Sequence, residues 1–132
     1  MLARVGKTSI TVRFCNNQFV DGQKSTIDAT CLEQLVRIQD PHNTQGVHTL
    51  MYRLAIWDTA GQEQHHCLNT IYYRGAQGAL IVYDITDVDS FSKMSSWVKE
   101  LRQQCGQQLP IIVVGNKCDL ESNRQIPLEK AE

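Results

Sequence analysis

Two short apolar runs, Ala79-Leu80-Ile81-Val82-Tyr83 and Ile111-Ile112-Val113-Val114, flank a segment in which Phe91, Met94, Val98, Leu101 and Cys105 recur at intervals of three and four residues. Continuous runs of this length suit parallel strands buried on both faces. The spacing between them predicts an amphipathic helix that faces the sheet. Parallel neighbours need such a crossover, so residues 78–115 predict a βαβ unit and an α/β fold.

The same reasoning places the remaining elements. Ile10 and Phe14, four residues apart behind Gly6-Lys7-Thr8, predict a short helix over residues 7–16. Residues 20–28 are polar and non-periodic, which reads as an exposed loop. Leu50, Tyr52, Leu54 and Ile56 alternate onto one face of a strand over residues 48–57. Residues 29–38, with Leu32, Val36 and Ile38 on one face, predict its antiparallel partner across the turn chemistry of Asp40-Pro41-His42-Asn43-Thr44-Gln45-Gly46. Pro127 before Leu128-Glu129-Lys130 predicts the first turn of another helix.

Three segments carry chemistry, and each falls at the end of a predicted strand or the start of a helix. Gly6-Lys7-Thr8 opens the first helix, where backbone N–H groups, the helix dipole and an ammonium converge on one anion. Lys7 would contact terminal phosphates and the Thr8 hydroxyl would bind Mg²⁺, although Met1 stands where the full G-x-x-x-x-G-K-[ST] pattern has its first glycine. Asp58, within Trp57-Asp58-Thr59-Ala60-Gly61-Gln62-Glu63, can hold magnesium. There the Gly61 amide can sense a terminal phosphate and Gln62 can orient an attacking water. In Asn116-Lys117-Cys118-Asp119 the Asp119 carboxylate can accept from guanine's N1 and exocyclic amine, a donor pair adenine lacks. Asn116 would bind the base and brace the loops, and the Lys117 stem would cover a base face. In this order the three segments imply a guanine-nucleotide site binding GTP/GDP with Mg²⁺.

Composition narrows the partners and the setting. The formal net charge is −1 and neither sign forms a long run, so nothing in the charge suggests a footprint for nucleic acid or an acidic membrane surface. Cys15, Cys31, Cys67, Cys105 and Cys118 are scattered and never spaced C-x-x-C, which argues against a disulfide framework or zinc site and fits a reducing, cytoplasmic setting. No apolar run reaches membrane-span length and no signal-peptide core opens the chain.

The chain resembles a small GTPase of the Ras superfamily, Rab branch. The similarity rests on residues 57–63, Ile71-Tyr72-Tyr73-Arg74-Gly75-Ala76, Tyr83-Asp84-Ile85-Thr86, and Ser90-Phe91 with Trp97, and its overall flavour is that of the early-endosomal Rabs. The resemblance implies a P-loop NTPase G domain acting as a GTP-hydrolysing switch in vesicle traffic. It makes Val5, Gly6, Lys7, Thr8, Ser9, Phe19, Thr26, Gly61, Asn116, Lys117 and Asp119 nucleotide contacts. It further implies Thr8, Thr26 and Asp58 as magnesium ligands, and Gln62 and Lys7 as the catalytic pair. Exchange factor, GTPase-activating protein and effectors would read switch I, about residues 20–31, and switch II, residues 61–74. Membrane contact, and cycling to endomembranes such as the early endosome, would come through a prenylated tail that these residues do not contain.

The chain departs from the family pattern in places that touch partner recognition. Asp28 follows Ile27 where a glycine is expected, Cys31 stands further on, and Gln64-His65-His66 replaces a basic residue and an aromatic. His65, His66 and Cys67 are adjacent and their side chains diverge, so they read as solvent-facing rather than as a metal site. The turn at residues 41–47 is longer than the family's and reads as a tolerated insertion. The resemblance also implies a six-stranded sheet whose first strand, before the phosphate loop, lies between the strands ending near Asp58 and Thr86. Neither that strand nor the final strand and helix has residues here, so residues 1–132 are expected to form a partial G domain. A non-catalytic remnant serving as an interaction module is the alternative, and an ATP-using P-loop enzyme is disfavoured by Asp119.

Overall fold

The computed structural model describes residues 4–39, 49–60 and 72–131. In chain order the elements are helix α1 (Lys7–Asn16), strands β1 (Thr30–Gln39), β2 (Thr49–Asp58) and β3 (Ala79–Asp84), helix α2 (Val88–Cys105), strand β4 (Ile111–Asn116), a 3-10 turn (Cys118–Asn123) and a last helical turn α3 (Leu128–Ala131). The strands and helices α1 and α2 match elements expected from apolar spacing, and α3 the turn expected after Pro127, with bounds shifted by a residue or a few; the 3-10 turn is not among the expected elements. The 40–46 turn lies outside the described residues.

The hairpin register follows the alternation. β1 and β2 pair antiparallel with Leu32 opposite Ile56, Val36 opposite Tyr52 and Ile38 opposite Leu50, so the apolar sets of both strands share one face. β3 and β4 pair parallel from Ala79 opposite Ile111 to Asp84 opposite Asn116. That register sets the two polar strand-end residues side by side.

Helix α2 connects the parallel strands. Asp87 caps its start by accepting from the Asp89 amide at 3.0 Å, and its end is closed by Gly106 at φ 92°, a conformation that favours glycine. Its inner face contributes Trp97 and Leu101 to a core with Val5, Tyr73, Ile81, Val82 and Leu109. Burying an aliphatic side chain such as Ile81 or Leu101 stabilises the fold by about 1.5–3 kcal/mol. A second cluster of Tyr83, Ile85 and Ile126 sits at the carboxyl end of β3, where Phe91 meets Tyr83 edge-on at 5.1 Å between ring centres.

The four strands form two separate two-stranded sheets, β1 with β2 and β3 with β4, and no ladder joins β2 to β3 among the described residues. Val5 and Thr8, at the start of α1, link the halves. Val5 packs in the β3 core and Thr8 bonds to Asp58 at the end of β2.

One expectation from the apolar runs needs correction. β3 is buried from Ile81 to Asp84, but β4 is not covered on both faces: Ile112 is 63% and Val113 39% exposed, and Leu80, opposite Ile112, is 50% exposed. The physical reason is that α2 packs on only one face of this sheet and β4 has no second strand neighbour among the described residues.

Candidate functional site

Glycine at position 6 is what lets α1 begin where it does. Gly6 caps the helix at φ 95°, and no side chain caps the first turn. A Cβ at this position would collide with the Asn116 side-chain amide. That amide donates to the Val5 carbonyl at 2.8 Å, which ties the loop before α1 to the end of β4. The first-turn N–H groups and the positive end of the helix therefore remain available to an anion.

The start of α1, the 19–26 segment and the end of β4 with the turn after it surround an open cavity of about 650 Å³. Arg4, residues 6–9, residues 19–26 and Asn116, Lys117 and Asp119 line it. Of the sequence-expected contacts, Gly6, Lys7, Thr8, Ser9, Phe19, Thr26, Asn116, Lys117 and Asp119 all line it. Val5 differs: its side chain is buried in the core and its carbonyl is taken by Asn116. Gly61, Gln62, His65, His66 and Cys67 lie outside the described residues, as does most of the 61–74 segment.

At one edge of the cavity three oxygen-bearing side chains converge. The Thr8 hydroxyl donates to Asp58 Oδ2 at 2.6 Å and lies 2.6 Å from the Thr26 hydroxyl, which must then donate to Thr8. Asp58 is buried, and its second oxygen, Oδ1, has no hydrogen-bond partner among the described residues. A buried carboxylate oxygen without a donor is costly unless a cation or water meets it. Two hydroxyls and a carboxylate are the hard-oxygen set that Mg²⁺ takes together with water and phosphate, so Thr8, Thr26 and Asp58 fit that ion. Beside them, burial pushes the Lys7 ammonium below its ordinary value and the Asp58 charge partly offsets it. An entering anion would further offset the burial.

The Asn116–Asp119 part of the lining is ordered by a residue whose role sequence reasoning did not assign. Asp84 ends β3 beside Asn116, and its carboxylate lies 2.5 Å from the Lys117 ammonium. It also accepts from the Thr86 amide at 2.9 Å and the Thr86 hydroxyl at 2.7 Å. Ser90 Oγ accepts from the Asp84 amide at 3.0 Å and donates to the Asp87 carbonyl at 2.7 Å, fixing the strand end to α2. Lys117 is left-handed at φ 66°, and with its side chain anchored this turn sets Asp119 on the cavity wall. The signal available in the sequence was an acidic residue ending an apolar strand, but its partner depends on the parallel register.

The Asp84–Lys117 pair predicts an acid response. Burial acts to raise the Asp84 carboxyl, but hydrogen bonds from Lys117 and Thr86 and the Lys117 charge outweigh it and hold it below its ordinary value. A carboxyl held low in the folded state adds stability that is complete above its unfolded value and is lost as pH falls through the folded one. Lys117→Met is therefore expected to cost about 2 kcal/mol at neutral pH and to flatten the loss of stability below about pH 4. Urea unfolding between pH 3 and 7 checks both, and an unchanged acid limb would remove the pair from this role.

Comparison with known proteins agrees with this geometry. Residues 3–132 match the family model described as Ras family. The chain is 46% identical over 128 residues to Ras-related protein Rab-21 of Homo sapiens, covering 97% of this chain and 53% of that protein. It is 48% identical over 128 residues to Ras-related protein Rab-21 of Dictyostelium discoideum, covering 97% and 56%. It is 45% identical over 122 residues to Ras-related protein Rab-21 of Geodia cydonium, covering 92% and 49%. This chain spans about half the length of the curated relatives it matches. Given the family match, the similarity to Rab-21 proteins and the phosphate-loop, carboxylate and N-K-x-D segments around one cavity, the chain belongs to the Ras family, on its Rab branch.

Proposed function

We propose that this chain carries the GTP-binding and GTP-hydrolysing core of a Rab-like regulator of vesicle traffic. The observation that carries the reading is the Thr8–Thr26–Asp58 cluster, whose buried Asp58 Oδ1 has no partner among the described residues, beside a cavity that Asp119 also lines.

In this reading the N–H groups of residues 6–9 hold the phosphates and the Lys7 ammonium neutralises charge on the transferred group. Thr8, Thr26 and Asp58 hold Mg²⁺, which when bound neutralises phosphate oxygens. Asp119 accepts from guanine, Asn116 braces both loops, and Phe19 lies against the base. Gln62 orients the attacking water, and the Gly61 amide meets the terminal phosphate. Because Thr26 belongs to the irregular 20–28 segment and its hydroxyl bonds to Thr8, that bond can be exchanged for a ligand contact, which makes this segment a switch. Exchange factors, activating proteins and effectors would read residues 20–31 and 61–74. The similarity to Rab-21 proteins supports an endomembrane setting, with the early endosome as the compartment. No helix among the described residues is long and apolar enough to cross a membrane.

The test is phosphate release from GTP as Mg²⁺ is varied. Hydrolysis should stop on chelation, and Thr8→Ala should raise the Mg²⁺ needed for half-maximal rate by at least about 10-fold. Turnover indifferent to chelation would contradict the assignment of these three side chains.

A further inference from the structure

The wall of the cavity that carries the phosphate-binding residues begins with an arginine. Arg4 lines the same cavity as Lys7, and its backbone is left-handed at φ 60°. A residue with a Cβ is held there at a cost of about 1–2 kcal/mol, where glycine would sit without strain. Its side chain is exposed and makes no hydrogen bond or ion pair with any described residue. Of the other cations that line the cavity, Lys117 is committed to Asp84 and Lys24 belongs to the 19–26 segment.

We infer that Arg4 is a phosphate-binding residue that adds a second cation, beside Lys7, to the polyphosphate end of the site. This rests on the nucleotide-binding reading above. A guanidinium presents a planar set of donors that matches phosphate oxygens, and it stays charged at any working pH. Placed one residue before the buried Val5 and two before the Gly6 cap, Arg4 stands on the side of the cavity where the uncapped N–H groups of α1 converge. Asp119, which would take the base, lines the same cavity from the turn after β4. Arg4 therefore acts on the phosphates and not on the base, and its contribution grows with the number of phosphates.

The experiment compares the full chain with Arg4→Gly and Arg4→Lys, using GMP, GDP, a non-hydrolysable GTP analogue and inorganic tripolyphosphate as probes. Arg4→Gly removes the guanidinium and relaxes the backbone, so its thermal unfolding should be unchanged or slightly raised. Its affinity for tripolyphosphate and for the GTP analogue should fall about 10- to 100-fold, that for GDP less, and that for GMP not at all. Arg4→Lys should recover part of the loss. Equal loss for every probe, or none, overturns the role of Arg4 and leaves the nucleotide reading standing. A chain that binds tripolyphosphate through Arg4 but prefers no guanine nucleotide overturns that reading and keeps the phosphate role. A folded chain that binds none of the four overturns both.

Discussion

Replacing Gly6 with alanine should abolish nucleotide binding and visibly destabilise the fold. The alanine Cβ would have to be held at φ 95°, and it would collide with the Asn116 amide. Relieving that collision breaks the Asn116 bond to the Val5 carbonyl, in a residue only 1% exposed. Backbone strain and an unsatisfied buried carbonyl together cost about 2–6 kcal/mol, a large part of the net stability of a typical domain. Binding suffers separately, because the displaced loop carries the N–H groups that meet the anion and Asn116 faces the cavity beside them. A urea titration and a nucleotide titration of the same variant separate the two effects. Wild-type binding with wild-type stability would mean that Gly6 does not hold the loop as described.

Asp119→Asn should reverse base preference while leaving phosphate affinity intact. The carboxylate offers only acceptors, which suits guanine's N1–H and exocyclic amine together. An asparagine offers one acceptor and one donor, so the amine of guanine meets another donor. Xanthine, with a carbonyl in place of that amine, matches the asparagine. GDP should lose about 10⁴-fold in affinity, as expected when a polar site meets a ligand it cannot pair, and xanthosine diphosphate should gain. Tripolyphosphate binding is the control and should not move. Asp119 is exposed on its 3-10 turn and its side chain bonds to no other described residue, so the variant should fold normally.

Much of this architecture is legible in the residues. Ile10 and Phe14 locate α1, the alternation of Leu50, Tyr52, Leu54 and Ile56 fixes the face of the hairpin, and two apolar runs around a helical stripe give the parallel pair. These are local periodicities, which the chain writes directly. What the sequence did not disclose depends on distant residues meeting. Thr8 and Asp58, which the resemblance already names as joint magnesium ligands, are 50 positions apart, and their direct hydrogen bond arises because the start of α1 meets the end of β2. The Asp84–Lys117 pair needs the β3–β4 register and a left-handed lysine, neither of which leaves a local pattern. Arg4 drew no attention because it lies in the interval between the expected first glycine position and Gly6, where the motif leaves residue type open. The exposure of Ile112 and Val113 was missed for the converse reason: an apolar run reports what a strand could bury, not which elements lie against it.

The most direct test of the account is a titration of the 132-residue chain with a fluorescent GDP analogue and Mg²⁺, followed by competition with unlabelled GTP and ATP. The account predicts saturable binding that GTP reverses and ATP does not, because Asp119 accepts two hydrogen bonds that adenine cannot donate. Displacement by ATP as effective as by GTP, or no binding by a folded chain, would contradict it.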